Sequence, residues 1–181
     1  MNSKISIVRD LEGNNIVLIH DILFKGKRSV RWDDVEEYLK QYVGDFFRIA
    51  DSNDIVYIGS EFPSEYTGSI YTKRLKGAAA KAKANATQGL AELIETASFG
   101  SYEKNRKAKH KRDAKNGWYR YNAYFAIPAH DEHGELTRFN VFHASLLIRH
   151  ASSGKRYLYD VTEIKKETSM SCQASALPGI I

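Results

Sequence analysis

The feature that most constrains the fold is a series of three strand-like segments, at residues 118–128, 137–150 and 156–164. The short polar sequences Asp131-Glu132-His133-Gly134 and Ser152-Ser153-Gly154-Lys155 separate them. Strands joined by short turns pair antiparallel, because a parallel pair needs a longer crossover. We therefore expect the C-terminal part of the chain to form an antiparallel β-meander.

Alternation of apolar and polar residues predicts which side chains of the first two strands face the core. The predicted core side chains are Tyr119, Tyr121, Ala123, Phe125 and Ile127 in the first strand, and Phe142, Ala144, Leu146 and Ile148 in the second. The opposite, open face is then expected to carry Arg120, Tyr124, His143 and Arg149. The third strand stays ambiguous, because Tyr157, Tyr159 and Val161 compete with Leu158 and Ile164 for the core side.

A second periodic segment, residues 70–97, predicts one long helix. Its apolar stripe recurs at spacings of three and four residues: Leu75, Ala79, Ala82, Ala86, Leu90, Leu93 and Ala97. Lys73, Lys76 and Lys83 fall on a different side, where we expect them to meet solvent. A helix over 32–43 and a loop over 62–69 are predicted before it.

These elements predict an α+β fold, in which an N-terminal part of helices and short strands precedes a long helix packed on the C-terminal meander. The chain has 181 residues and no linker rich in Pro, Gly or Ser, which favours a single domain. We assign that domain to residues 1–170 and a flexible tail to residues 171–181.

Positive charge is concentrated in residues 73–120, which hold 13 Lys or Arg against 4 Asp or Glu. Within this block, Lys109-His110-Lys111-Arg112 is followed by the aromatic run Trp118-Tyr119-Arg120-Tyr121. Clustered cations and exposed rings are typical of surfaces that bind nucleic acid. A basic face that is simply solvated is the alternative for each lysine taken alone.

Other site classes are poorly supported by the sequence. His130 and His133 flank a turn rather than occupying one helix face, no glycine-rich phosphate loop is present, and Cys172 is the single cysteine. No apolar run is long enough to span a bilayer, and the N-terminus lacks a signal-peptide pattern. We therefore expect a cytoplasmic protein without a metal, a cofactor or a membrane partner.

Metal-free RNA cleavage needs a base for the ribose 2′-hydroxyl, an acid for the leaving 5′-oxygen and cations for the phosphorane. His110 or His143 can transfer protons, Arg149 and Lys165 can supply charge, and Thr168 or Tyr121 can supply a hydroxyl. This set is chemically sufficient but not unique to nucleases. Nucleic-acid binding without catalysis stays open at this point.

Four sequence blocks carry a family resemblance: residues 77–85, 117–121, 125–128 and 157–168. Together they resemble nuclease-like domains found in the large polyvalent proteins of phages and conjugative elements. The order of elements is similar to the superfamily that includes barnase, EndoU, the tRNA-cutting colicins and RelE.

The resemblance implies a metal-independent endoribonuclease whose active site lies on the open sheet face. The matching catalytic positions are His110, Arg149, Lys165 and Thr168. The residues expected to bind the nucleic acid are Lys76, Lys83, Lys109, Lys111, Arg120 and Tyr124. The expected partner is RNA or another nucleic acid, with roles as a toxin, an effector or an anti-defence protein left open.

A competing hypothesis is a non-catalytic module of a mobile element that binds nucleic acid or a host or phage protein, for example to inhibit a defence complex. A third is a protein that acts through its tyrosine-rich surface while the basic block is only solvated. The salt dependence of RNA binding separates the third hypothesis from the other two.

Overall fold

The computed structural model describes residues 5–26 and 29–171. Except for Ser171, the predicted tail lies outside these residues. The helices are α1 (Trp32–Leu39), α2 (Phe62–Gly68), α3 (Ile70–Arg74), α4 (Gly77–Ala86) and α5 (Leu90–Thr96). The strands are β1 (Ile5–Arg9), β2 (Asn15–Ile19), β3 (Phe46–Arg48), β4 (Ile55–Tyr57), β5 (Ser98–Glu103), β6 (Trp118–His130), β7 (Leu136–His150) and β8 (Arg156–Ser171).

The fold is a mixed α/β architecture dominated by one curled sheet, in the order β1-β2-β6-β7-β8-β4-β3. The pairs β6–β7 and β7–β8 are antiparallel, which confirms the predicted meander. The sheet extends beyond the meander because β2 pairs parallel with β6 and β4 pairs parallel with β8. The strand β5 also pairs with β6, antiparallel, alongside residues 118–122.

Alternation along β6 and β7 gives the two faces that the sequence predicts. The side chains predicted to face inward belong to the main core, with Tyr119 packed against its margin. The opposite face is only partly open, because a smaller apolar cluster covers one end of it. This second cluster comprises Val8, Ile16, Leu18, Ala126, Phe139 and Val141, with Tyr124 packed against it.

The ambiguous sidedness of β8 has a structural cause. Leu158, Val161 and Ile164 all belong to the main core, although a regular strand directs successive odd and even positions to opposite faces. The pairing of β7 with β8 shifts at several points, and Glu163 has a positive φ of 53°. Each extra residue in the strand switches which positions, odd or even, face the core. Both of the sets that the sequence left open therefore contribute core residues.

The single long helix predicted over residues 70–97 is wrong, although most of its apolar stripe is buried. The chain leaves helical geometry at Leu75, and Gly77 restarts it with a φ of 59°, which favours glycine. A short 3₁₀ turn, Thr87–Gly89, then separates α4 from α5. Gly89 lies against β2, since a Cβ there would come 2.9 Å from Val17 Cγ1.

The loop predicted over residues 62–69 is also wrong, because most of it forms α2. This helix has Pro63 in its first turn, where a missing N–H costs nothing, and it ends before Ser69. The Ser69 side chain accepts a hydrogen bond from the Thr72 amide and caps α3. None of the helices in residues 5–26 and 29–171 is long and apolar enough to cross a membrane.

Candidate active-site cleft

A cleft of about 500 Å³ lies between the sheet, the α2–α3 corner and the basic loop that follows β5. Its floor is formed by Trp118, Arg120, Leu147 and Tyr159, which β6, β7 and β8 supply. One wall is the corner from Glu65 to Tyr71, and the other is the segment from Glu103 to His110. The segregated basic block of the sequence therefore borders a concave surface.

His110 lies in the wall of this cleft on a 3₁₀ turn, Ala108–His110, and is only 8% exposed. Its Nδ1 lies 3.0 Å from Oδ2 of Asp113. Its ring packs perpendicular to those of Trp118 and Tyr159, with centroids 5.1 and 5.6 Å away. Three contacts thus fix the orientation of the imidazole.

This orientation assigns different tasks to the two ring nitrogens of His110. A carboxylate that holds Nδ1–H leaves Nε2 as the nitrogen that exchanges protons. Within the described residues, Nε2 has no hydrogen-bond partner. Nε2 is therefore the ring nitrogen that could exchange a proton with a bound molecule.

A half-buried carboxylate, Glu65, lines the same cleft. Glu65, His110 and Tyr159 also line an adjoining cavity of about 190 Å³, so these three residues mark the junction of the two spaces. Burial, followed by the hydrogen bond to Glu65, raises the pKa of the Tyr159 hydroxyl. The cleft thus presents a histidine and a carboxylate together.

Positive charge surrounds these groups. Arg120 lies half-buried on the floor, and its Nη1 is 3.4 Å from the Thr162 hydroxyl, to which it donates. The exposed cations at the mouth are Lys104, Arg106, Lys107 and Lys109. A phosphodiester in the cleft would therefore meet cations on its floor and at its mouth.

Arg149 lies close to His110, as the predicted site requires. Its Nη1 donates to the Asp113 carbonyl oxygen at 3.0 Å, and its Nη2 lies 3.7 Å from Oε2 of Glu61. It lines the smaller cavity together with His110. The structure thus brings together two of the four predicted catalytic residues.

The other two predicted catalytic residues lie elsewhere. Lys165 is opposite His143, six residues along β7 from Arg149, and Thr168 is opposite Val141. At the rise of a β-strand these positions are about 20 and about 27 Å from Arg149. The predicted four-residue site is therefore not assembled around one phosphate.

The alternative proton donor and hydroxyl named from the sequence also lie outside the cleft. His143 packs against Tyr124, with ring centroids 5.1 Å apart, and its Nε2 lies 2.9 Å from Asn122 Oδ1. Tyr121 is buried on the core face, where its hydroxyl donates to Asp54. Neither lines the cavities that contain His110.

The prediction that Lys83 binds nucleic acid is wrong, because its side chain is fully buried. Its Nζ lies 2.6 Å from Oδ1 of Asp160 and 2.6 Å from the Thr72 hydroxyl, to which it donates. Burial lowers the pKa of Lys83 and raises the pKa of Asp160, and their mutual attraction opposes both shifts. The apparent surface lysine is half of an internal ion pair.

This ion pair also supports the cleft. Ser69, which lines the cleft, donates a hydrogen bond to Oδ2 of Asp160 at 2.7 Å. Asp160 follows the floor residue Tyr159 directly in β8. The buried network therefore connects the α2–α3 corner to the strand that supplies the floor.

The other residues predicted to bind nucleic acid lie in different parts of the structure. Lys109 and Arg120 line the cleft, and Lys111 is exposed one residue after His110. Lys76 lines a separate cavity beside the start of α4, and Tyr124 is half-buried against the second cluster. The cations at the cleft therefore come from the loop after β5 and from Arg120 on β6, and Lys76 belongs to another cavity.

Glu65 and Tyr159 line the cleft, although the sequence did not indicate either of them as a site residue. Glu65 falls in the segment predicted to be a loop, and Tyr159 falls in the strand whose sidedness stayed ambiguous. A carboxylate directly before the buried Tyr66 was the available signal for Glu65, but it did not distinguish a site from a surface position.

No group of three or more His, Cys, Asp or Glu side chains within residues 5–26 and 29–171 is arranged to hold a metal ion. Comparison with known proteins finds no matching family model, no matching curated protein and no matching solved structure.

Proposed function

We propose that this protein is a metal-independent endoribonuclease of a mobile genetic element, and that the cleft at His110 is its active site. The mobile-element assignment follows from the sequence resemblance. The observation that carries the proposed activity is the pairing of His110 Nδ1 with Asp113 at 3.0 Å inside a cleft lined by cations.

Cleavage begins at the ribose 2′-hydroxyl. The Glu65 carboxylate takes its proton, and the 2′-oxygen forms a bond to phosphorus. The bond from phosphorus to the 5′-oxygen then breaks, and the His110 imidazolium gives its Nε2 proton to that leaving oxygen. The products are a 2′,3′-cyclic phosphate and a 5′-hydroxyl.

Cations stabilise the charge that develops on the phosphorane. Arg120 is positioned for this task on the cleft floor, and Arg149 adds a second guanidinium beside His110. The exposed lysines at the mouth bind the flanking backbone and make binding depend on salt.

The test is incubation of the purified chain with RNA in EDTA, followed by mapping of the new ends. We expect 2′,3′-cyclic phosphate and 5′-hydroxyl ends from the wild type, and at least about 10²-fold slower formation of these ends by a folded His110→Ala variant. His133→Ala is the matched control, because that histidine is exposed on a turn far from the cleft in sequence and outside its lining. Equal cleavage by wild type and His110→Ala would remove His110 from the mechanism.

One observation favours a second candidate, a non-catalytic module that binds nucleic acid or a partner protein. His110 is 8% exposed, so its ring serves the packing of Trp118 and Tyr159 as well as any chemistry. Such a module binds RNA with a steep salt dependence and produces no new ends. The same incubation therefore distinguishes the two functions.

A further inference from the structure

A row of four aromatic side chains and one arginine crosses five strands of the sheet. Strand register places them opposite one another in the order Phe46, Tyr57, Tyr157, Arg149 and Trp118. We call these five residues the aromatic row. At the spacing of neighbouring strands, the row is about 19 Å long.

The aromatic row lies on the face of the sheet opposite the main core. Residues next to its members in sequence, including Phe47, Val56 and Leu158, belong to the core or pack against it. Side chains alternate along a strand, so the row members project the other way. Phe46 is 60% exposed, and the other members are half-buried.

Ring contacts join four members of the row, and strand register places Trp118 beside Arg149. The centroids of Phe46 and Tyr57 are 5.9 Å apart, as are those of Tyr57 and Tyr157. The Arg149 guanidinium lies over Tyr157, 4.2 Å from its centroid. At the far end, Trp118 contacts His110 directly. The row therefore leads from an exposed phenylalanine to the candidate catalytic histidine.

The row is also cationic. Lys155 is exposed, and its Nζ lies 5.0 Å from the centroid of Tyr57, while Arg149 covers Tyr157. The counter-charge at Arg149 is Glu61, whose side chain is 77% exposed and 3.7 Å away. The Arg149 side chain itself is only 13% exposed, so a phosphate reaches it by taking the place of the Glu61 carboxylate.

We propose that the aromatic row is a stacking surface for single-stranded RNA, which guides the strand from the cleft across β6, β7, β8, β4 and β3. Aromatic rings stack with bases of any sequence, and neighbouring cations bind the backbone. Continuity with the cleft and charge complementarity favour RNA as the occupant. The identity of this occupant rests on the proposed function.

The experiment compares a cleavable dinucleotide with a hexanucleotide that contains the same scissile step. Phe46→Ala/Tyr57→Ala removes the end of the row farthest from His110. We expect its KM for the hexanucleotide to rise about tenfold or more, since each stacked base contributes measurably to binding. Its kinetics on the dinucleotide should equal those of the wild type.

Phe99→Ala is the matched control, because Phe99 on β5 is also an exposed aromatic but lies opposite the core-facing Tyr121 on β6. Thermal melting verifies that each variant folds. Binding of a 2′-O-methyl hexanucleotide, which lacks the nucleophile, is measured in parallel. This binding measurement tests the stacking surface even if the wild type does not cleave RNA.

The outcomes separate the two proposals. Cleavage with the same hexanucleotide KM in wild type and Phe46→Ala/Tyr57→Ala overturns the stacking surface and leaves the nuclease intact. Binding that depends on the row without cleavage overturns the nuclease and supports the surface. Failure to bind and to cleave overturns both.

Discussion

Nδ1 of His110 lies 3.0 Å from Oδ2 of Asp113, three residues later in the chain. This contact forms within one turn of the basic loop, and the Asp113 carbonyl oxygen accepts a hydrogen bond from Arg149. The loop thus carries its own orienting carboxylate and is attached to β7. The position of the His110 ring follows from these local contacts and from its packing on Trp118 and Tyr159.

Replacing Asp113 with Asn should slow RNA cleavage by at least about tenfold, because the amide no longer holds Nδ1–H as a carboxylate does. The loss should appear mainly in kcat, since Asp113 lies outside the lining of the larger cleft. Steady-state kinetics measure this effect. Glu132→Gln, at an exposed turn, is the control, and an equal effect of both variants would argue against an orienting role.

Glu65→Gln should reduce the cleavage rate about 10²- to 10⁴-fold, because the amide cannot take the 2′-hydroxyl proton. Tyr159→Phe should have a smaller effect, since it removes only the hydrogen bond to Glu65. The two variants are compared by their single-turnover cleavage rates at saturating protein concentration. A Glu65→Gln rate equal to the wild type would exclude this carboxylate as the base.

Arg120→Ala should lower kcat by about 10²- to 10³-fold if its guanidinium stabilises the phosphorane. Lys165→Ala and Thr168→Ala should leave kcat unchanged, because both residues lie on β8 beyond the reach of a phosphate at His110. The same cleavage assay tests all three variants. A selective loss in Lys165→Ala would place the active site on the distal part of the sheet instead.

Removing one partner of the buried Lys83–Asp160 pair should destabilise the fold strongly. Lys83→Met leaves the Asp160 carboxylate buried without its cation, and we expect the free energy of unfolding to fall by about 3–5 kcal/mol. Chemical denaturation measures this free energy of unfolding. Lys83→Met/Asp160→Leu should recover part of the loss, and a double variant no better than the single one would contradict the ion-pair explanation.

Sequence patterns predicted the meander because alternation in β6 and β7 reports directly on burial. They predicted the buried stripe from Ala82 to Ala97 for the same reason, but not the breaks at Leu75 and Gly89, which depend on capping and on close packing against β2. The period of the apolar residues shows which face of a segment is buried, but it does not show whether the helix is continuous.

The site was less predictable because it depends on contacts between distant segments. Lys83 has the spacing of a surface lysine, and its partner Asp160 lies 77 residues away. Lys165 and Thr168 belong to a strand whose register shifts repeatedly, so their distance from Arg149 emerged only from the pairing. His110 could be named as a candidate because the neighbouring cations and Trp118 are local in sequence, whereas its contact with Tyr159 is not.

The central claim, that His110 protonates the leaving 5′-oxygen, is tested most directly with an RNA whose scissile 5′-oxygen is replaced by sulfur. A thiolate leaves without a proton, so it needs no general acid. We predict that His110→Ala cleaves the normal RNA about 10²- to 10⁴-fold more slowly than the wild type and cleaves the sulfur-substituted RNA at nearly the wild-type rate. An equal loss on both substrates would contradict the assignment of His110 as the acid.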